Sequence, residues 1–278
     1  MKKKIFITGE TRTIKDHIIE FFDYTELVFF FTRRDFVVLY KQTVLGPLWY
    51  IIQPLITSFV FLIIFNKFAG ISTMGVPGLL FYLIGNITWI FFSSSFINIG
   101  MTLVNNSDLY KKVYFSRIVL PVSNIFVSYI KLFFQIILFV GVFIYYLFTG
   151  FNFSTNINLV FLPLFIIHLS IFSFSLGLIV ASITVKYRDL LVTLQFGTQM
   201  LMFATPVIYS FNSIPEKFHY FAYLNPLVPI FENIRNCVFG IPLIDFKYYL
   251  ISLVITFLIL FLSFKIFFKT EKNFVDFV

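Results

Sequence analysis

Six long stretches of the chain are almost free of charge, and polar residues collect in the segments between them. The apolar stretches cover 48–65, 79–104, 118–148, 158–183, 190–210 and 248–268. A bilayer hydrocarbon core is about 30 Å thick, so a spanning helix needs roughly 20 apolar residues. A helix that is apolar all round sits in lipid or deep in a large core. A chain of 278 residues has too little mass to hide six such helices from water. The pattern predicts an all-α integral membrane protein, one transmembrane domain over 1–278 with six transmembrane helices.

The flanking segments carry different patterns. Over 14–31, Ile14, Ile18, Phe21, Phe22 and Val28 recur at helical spacing, with Asp16, Glu20, Asp23 and Glu26 mostly on the other face. This predicts an N-terminal amphipathic helix in the interface plane; a plain juxtamembrane anchor is the simpler alternative. Trp49 and Tyr50 suit the headgroup level, and Pro54 is expected to bend the first span. Asn86, Thr88, Ser93, Ser94, Ser95 and Asn98 fleck the second span, and such residues either bond helices together or line a wet path. Lys131 is the one charge well inside a span, and its stem can snorkel toward the interface. His168 stands alone in the fourth span, where packing or a bond to a neighbouring helix is the expected role.

The connection 211–247 is long, aromatic and broken by Pro215, Pro226, Pro229 and Pro242. Connections above roughly 15 residues are usually functional or disordered, and this one is too apolar for disorder. It predicts an outer gate loop of two short helices, at about 214–223 and 229–238, split at Asn225-Pro226 and dipping into the outer leaflet.

Composition agrees with a membrane protein. The chain is 59% hydrophobic and 12% charged, against about 25% charged in a soluble domain. Its mean hydropathy is +0.92. The formal charge of +8 raises nucleic acid as a partner, but its distribution points elsewhere. Sixteen of the 21 Lys and Arg fall in 1–47, 105–117, 184–189 and the tail, and four fall in the opposite connections. This is the positive-inside bias. It places both termini in the cytoplasm, with anionic lipid as a secondary contact. The start Met1-Lys2-Lys3-Lys4 lacks the apolar run of a signal peptide, so the N-terminus is expected to be retained. The single Cys237 rules out an intrachain disulfide.

Catalytic signatures are missing. Gly70 and Gly75 have the spacing of phosphate-loop glycines, but Val76 and Pro77 stand where Lys and Ser/Thr are required. No His/Cys cluster has metal spacing, and His17, His168 and His219 belong to no Ser/His/Asp set. Without an Asp or Glu in the spans, a proton relay has little to work with. The expectation is no catalytic residue, no metal and no cofactor on this chain, with any driving energy supplied from elsewhere.

Several segments, in order, resemble the membrane subunits of type-2 ABC exporters, in the branch that exports O-antigen, teichoic acid and other polysaccharides. They are 34–49 (Arg34-Asp35, Tyr40-Lys41, Leu45-Gly46 ahead of Trp49), 105–121 (Leu109-Tyr110-Lys111-Lys112-Val113-Tyr114-Phe115, Leu120-Pro121), Tyr187-Arg188-Asp189, Thr205-Pro206-Val207-Ile208-Tyr209 and Leu224-Asn225-Pro226-Leu227. The resemblance implies a homodimeric permease in the bacterial inner membrane that moves a polyprenyl-diphosphate-linked polysaccharide. A separate ATPase subunit, carrying ATP and Mg, would dock on the cytoplasmic face. It implies coupling roles for Glu20, Asp23, Glu26, Asp108, Tyr110, Lys111, Lys112 and Arg188. Arg33 and Arg34 would meet the diphosphate or ordinary lipid headgroups. Tyr209, Phe211, Tyr220 and Tyr223 would form the outer gate. Two other readings stand beside this one. One is a type-2 permease for teichoic acid, a drug or a small lipid. The other is an integral membrane glycosyltransferase, for which Asp35, Asp108 and Asp189 are too scattered and too close to basic residues.

Overall fold

The computed structural model describes residues 14–41, 43–151, 157–187, 189–241 and 245–277, and no strand occurs among them. Helix α1 (Ile14–Asp23) and helix α2 (Thr25–Lys41) meet at Tyr24, where the Thr25 hydroxyl bonds the Phe22 carbonyl (3.0 Å). The interface helix expected over 14–31 is therefore two helices, and the second runs on through Arg33 and Arg34. Helix α3 (Trp49–Phe61) follows a tight turn at Gly46–Leu48 and continues as a wider-wound stretch, Leu62–Phe68. Next come α4 (Gly78–Gly100), α5 (Thr102–Asn105), α6 (Ser107–Lys112) and α7 (Val119–Phe148). The chain closes with α8 (Leu162–Thr184), α9 (Leu190–Phe203), α10 (His219–Leu224), α11 (Leu227–Phe239) and α12 (Phe246–Phe277).

Five helices are long and apolar enough to cross a membrane: Gly46–Phe68, Gly78–Gly100, Val119–Phe148, Asn158–Thr184 and Phe246–Glu271. The fifth span expected over 190–210 is shorter than that. Helix α9 has 14 residues, about 21 Å at 1.5 Å per residue. The helix stops where Thr205-Pro206 begins a run of turns, with the Val207 amide bonded to the Thr205 carbonyl (2.7 Å). Proline denies the helix both a donor and the space for the preceding carbonyl. The second span ends at Gly100 rather than 104, because Met101 breaks it before α5.

Helix α4 is the centre of the bundle. Of its apolar window 72% is buried, against 11% for the first span. It packs on α3, α7 and α8, while α12 covers the far side of α8 and α2 lies along α7. Of the polar flecks of the second span, Asn86 bonds a neighbouring helix, while the hydroxyls of Thr88, Ser93 and Ser94 return to carbonyls of α4 itself. Asn86 donates to the Pro54 carbonyl and to Ser58 Oγ, each at 3.2 Å. Asn124 reaches Thr102 Oγ1 (2.7 Å), Tyr129 pairs with Ser170 (2.7 Å), and Thr184 donates to the Gly100 carbonyl (3.0 Å). His168 bonds Thr256 of α12 (2.9 Å). The Lys131 ammonium lies 5.8 Å from the Tyr50 ring centroid, so its stem points to the end where α3 begins.

Helices α4 and α8 approach closely at Gly177. A Cβ there would sit 2.7 Å from the Ile99 side chain and 3.3 Å from the Phe96 carbonyl oxygen. Gly177→Ala should lower the melting temperature of the purified protein in detergent, since overpacking a tight contact costs about 1–3 kcal/mol. Gly197→Ala, whose Cβ meets nothing within 4 Å, should leave it unchanged or slightly raised. Equal responses from the two variants would refute the close contact.

Candidate functional site

The segment 204–241 turns back into the bundle. The chain descends through α10, reverses at Asn225-Pro226 and climbs along α11. The tip is held by Asn225, which donates to Thr205 Oγ1 (3.0 Å) and accepts from the Leu227 amide (3.0 Å). Ser252 of α12 donates to the Pro226 carbonyl (2.8 Å). Phe231 lies 6.5 Å from Trp89 between ring centroids, eleven residues into α4. That is about 16 Å along the helix at 1.5 Å per residue.

One ion pair fixes this segment. Arg235 and Glu232 are 1% and 3% exposed and 3.0 Å apart. The guanidinium also donates to the carbonyls of Val207 (2.6 Å) and Tyr209 (2.8 Å) and lies 4.1 Å from the Phe81 ring centroid. The Glu232 carboxylate accepts the Phe211 amide (3.1 Å). The turn after α9 has lost its helical partners, and these two side chains replace them. Gly85 of α4 makes the approach possible: a Cβ there would lie 2.5 Å from the Val207 oxygen and 3.0 Å from an Arg235 nitrogen. In the sequence Arg235 is one of four basic residues in the outer connections, and Glu232 and Gly85 do not stand out there. The available signal was a Glu and an Arg three residues apart, on one helical face, within otherwise apolar LVPIFENIRNCVF.

The expected gate aromatics separate into two groups. Phe211 is buried and lies 4.9 Å from Tyr223 and 4.4 Å from His219 between centroids. Tyr223 stacks face to face on Tyr248 at 3.3 Å. Tyr209 turns its hydroxyl back to the Phe203 carbonyl (2.9 Å). Tyr220 is 81% exposed.

At the opposite end, α1, α2, the 113–118 connection and the end of α12 converge. Val28 and Phe31 pack against Phe115, Val119 and Leu120. Tyr114 donates to the Glu20 carboxylate (3.1 Å), and Arg117 donates to the Glu271 carbonyl. Burial lowers the pKa of the Arg117 guanidinium, and the nearby Glu271 carboxylate opposes that shift. Tyr110 gives its hydroxyl to the Arg117 carbonyl (3.0 Å) and stacks on Phe115, so it braces this junction from within. Asp108 lies in the first turn of α6 and Lys111 and Lys112 end it, all three exposed, as are Asp23 and Glu26. Arg34 is tied to Asp35 (2.7 Å) and lies over Phe31, whereas Arg33 is exposed. Arg188 lies outside the described residues. Among the described residues no group of three or more His, Cys, Asp or Glu is placed to hold a metal ion. The ties through Tyr114, Arg117 and Glu271 join residues 94 and 154 positions apart, beyond any local pattern.

Comparison with known proteins gives this geometry a context. The model of the ABC-2 type transporter family matches residues 26–239. An O-antigen export system permease protein, RfbA, of Klebsiella pneumoniae is 26% identical over 253 residues, covering 90% of this chain and 94% of that one. A second Klebsiella pneumoniae protein of that name is 28% identical over 213 residues, 76% and 79% of the two chains. One from Myxococcus xanthus is 23% identical over 262 residues, 92% and 97%.

The buried pair makes a prediction about stability. Arg235→Met leaves Glu232 charged and unpaired, which should cost about 3–5 kcal/mol and appear as a large fall in melting temperature in detergent. The double variant Glu232→Met/Arg235→Met should recover part of that loss, because no lone charge remains buried. Lys217→Met, at an exposed site, serves as the control. A harmless Arg235→Met would show that the turn after α9 is held by other contacts.

Proposed function

The chain belongs to the ABC-2 type transporter family, and we propose on that premise that it is the membrane half of an ATP-driven exporter of a lipid-linked, O-antigen-like polysaccharide. The observation that carries this reading is the likeness, over nearly the full length of both chains, to proteins named as O-antigen export permeases. In this reading α9 and the turns after it complete a sixth crossing, and both termini face the cytoplasm. Two copies enclose the path. The first span supports this, since Ile56, Phe59, Val60 and Ile64 are exposed. Helix α9 offers a second such face through Val192, Phe196, Met200 and Phe203.

ATP and Mg act on a separate partner that docks on the junction of α1, α2 and α6. Exposed Asp23, Glu26, Asp108, Lys111 and Lys112, with Arg188, meet that partner. Glu20 and Tyr110 hold the docking surface in place. Closure of the partner would be felt at Tyr114 and Arg117, which bond α1 and α12 to the start of α7. Arg33 takes the anionic diphosphate or a lipid headgroup, because the neighbouring Arg34 is already paired with Asp35. Helices α10 and α11 form the outer gate, where exposed Tyr220 presents its ring to sugar C–H groups and Tyr209, Phe211 and Tyr223 hold the gate segment in place behind it.

A tagged copy of the chain should co-purify with an ATPase subunit in equal amount, and deletion of its gene should cause lipid-linked glycan to accumulate. Purification without such a subunit would overturn the coupling assignment. Normal glycan export after deletion would overturn the substrate. Within the complex, Asp108→Lys/Lys111→Glu should reduce substrate-stimulated ATP hydrolysis several-fold while membrane insertion is retained. Unchanged stimulation would remove α6 from the docking surface.

A further inference from the structure

The coupling and gate roles leave Lys131 unused. It lies twelve residues into α7, yet its ammonium is level with the start of the first span, 5.8 Å from the Tyr50 ring centroid. Tyr50 is four residues beyond the beginning of that span, Gly46–Phe68, or about 6 Å at 1.5 Å per residue. Among the described residues Lys131 makes no ion pair and no hydrogen bond. A ring face attracts an ammonium but does not neutralise it. The side chain is half-buried, and its Nζ is not one of the sealed, unpartnered polar atoms of the interior. A ligand can therefore reach it.

Two further donors adjoin it. The Tyr50 hydroxyl has no partner among the described residues and is not sealed either. Gln135 stands one turn further along the same face of α7, where side chains four apart are neighbours. It is 3% exposed, its amide makes no hydrogen bond among the described residues, and the little surface it keeps includes that amide. Packing holds the group together. Phe36 of α2 and Phe134 of α7 each lie 6.3 Å from the Tyr50 ring and 6.3 Å from each other, so three helices meet at one aromatic corner. An ammonium, a phenol and an amide supply several N–H and O–H donors, with no carboxylate among them. Such a set suits an anion with several acceptor oxygens. Where a span enters the hydrocarbon, the anions at hand are lipid phosphates.

We propose that Lys131, Tyr50 and Gln135 form a binding site for the phosphate of a membrane lipid beside the start of the first span. Two lipids carry that chemistry, an anionic phospholipid and a polyprenyl diphosphate. The phospholipid source stands without the exporter reading, and the diphosphate source rests on it.

Trp49, next to Tyr50 and 47% exposed, reports on this site. The chain has two tryptophans, so the full chain carrying Trp89→Phe is reconstituted in nanodiscs with Trp49 as the one fluorophore. The probes are dibrominated phosphatidylglycerol and dibrominated phosphatidylcholine, whose bromines quench a nearby indole. Both bear a phosphate, but choline cancels its charge in the second. Phosphatidylglycerol should reach half-quenching at about fivefold lower mole fraction, the worth of one basic residue beside an anionic lipid. Lys131→Met should bring the two lipids together, and Lys131→Arg should keep them apart. Tyr50→Phe and Gln135→Leu should each narrow the difference. Lys265→Met, which removes an exposed charge elsewhere, should leave it intact. Undecaprenyl diphosphate added to the phosphatidylglycerol discs separates the sources. Relief of quenching assigns the site to the diphosphate, and unchanged quenching assigns it to the phospholipid. Equal quenching by the two brominated lipids overturns the proposal, as does an undiminished preference in Lys131→Met. A preference untouched by both Tyr50→Phe and Gln135→Leu overturns it too, which keeps the test decisive if Lys131→Met does not fold.

Discussion

A chain that folds in lipid must satisfy its backbone polar groups internally, because the solvent offers no hydrogen bonds. Uninterrupted helices do this automatically. The run between α9 and α11 does not, since its turns strand the carbonyls of Val207 and Tyr209 and the amide of Phe211. Arg235 and Glu232 supply the missing partners. Each also compensates the other's charge, which alone would be prohibitively expensive at that depth. Non-helical backbone is tolerated inside a membrane protein when it is buried in protein in this way. The position of α11 and the closeness of α4 at Gly85 both follow from that clamp.

Helix α4 links the two ends of the molecule. It is buried over most of its length and contacts α3, α7, α8 and α11. At one end it leads into α5 and α6, whose surroundings are tied to α1 and α12 through Tyr114, Arg117 and Glu271. At the other end it faces the re-entrant segment. Helices α4 and α8 are locked together where Gly177 meets Ile99, and interiors packed that tightly shift together rather than deform. The first span and α9 pack on α4 from the margin of the bundle and keep long exposed apolar faces. They are the elements free to take up a second surface, whether lipid or protein.

Aromatic residues divide by environment. Phe92, Phe172, Phe91 and Tyr129 interlock in the core. Phe211, His219, Tyr223 and Tyr248 form a separate stack around the descending limb of the re-entrant segment. The abundance of Phe therefore reflects lipid contact and core filling as much as any path for cargo.

The residues that live in lipid were legible from the chain itself, because the bilayer demands about 20 apolar residues per crossing and no other solvent imposes that length. The helical class, the long-span positions and the unusual character of 211–247 came from that demand. The shortness of α9 was not visible, because an apolar run does not reveal where Pro206 will turn it. Arg235 was misjudged for a related reason: its partners are the backbone of residues 26 and 28 positions earlier, and main-chain carbonyls leave no mark in a sequence. Gly85 and Tyr110 were likewise decided by neighbours that only folding brings near. Local pattern fixes which solvent each segment prefers, whereas tertiary structure alone decides which buried polar groups find each other.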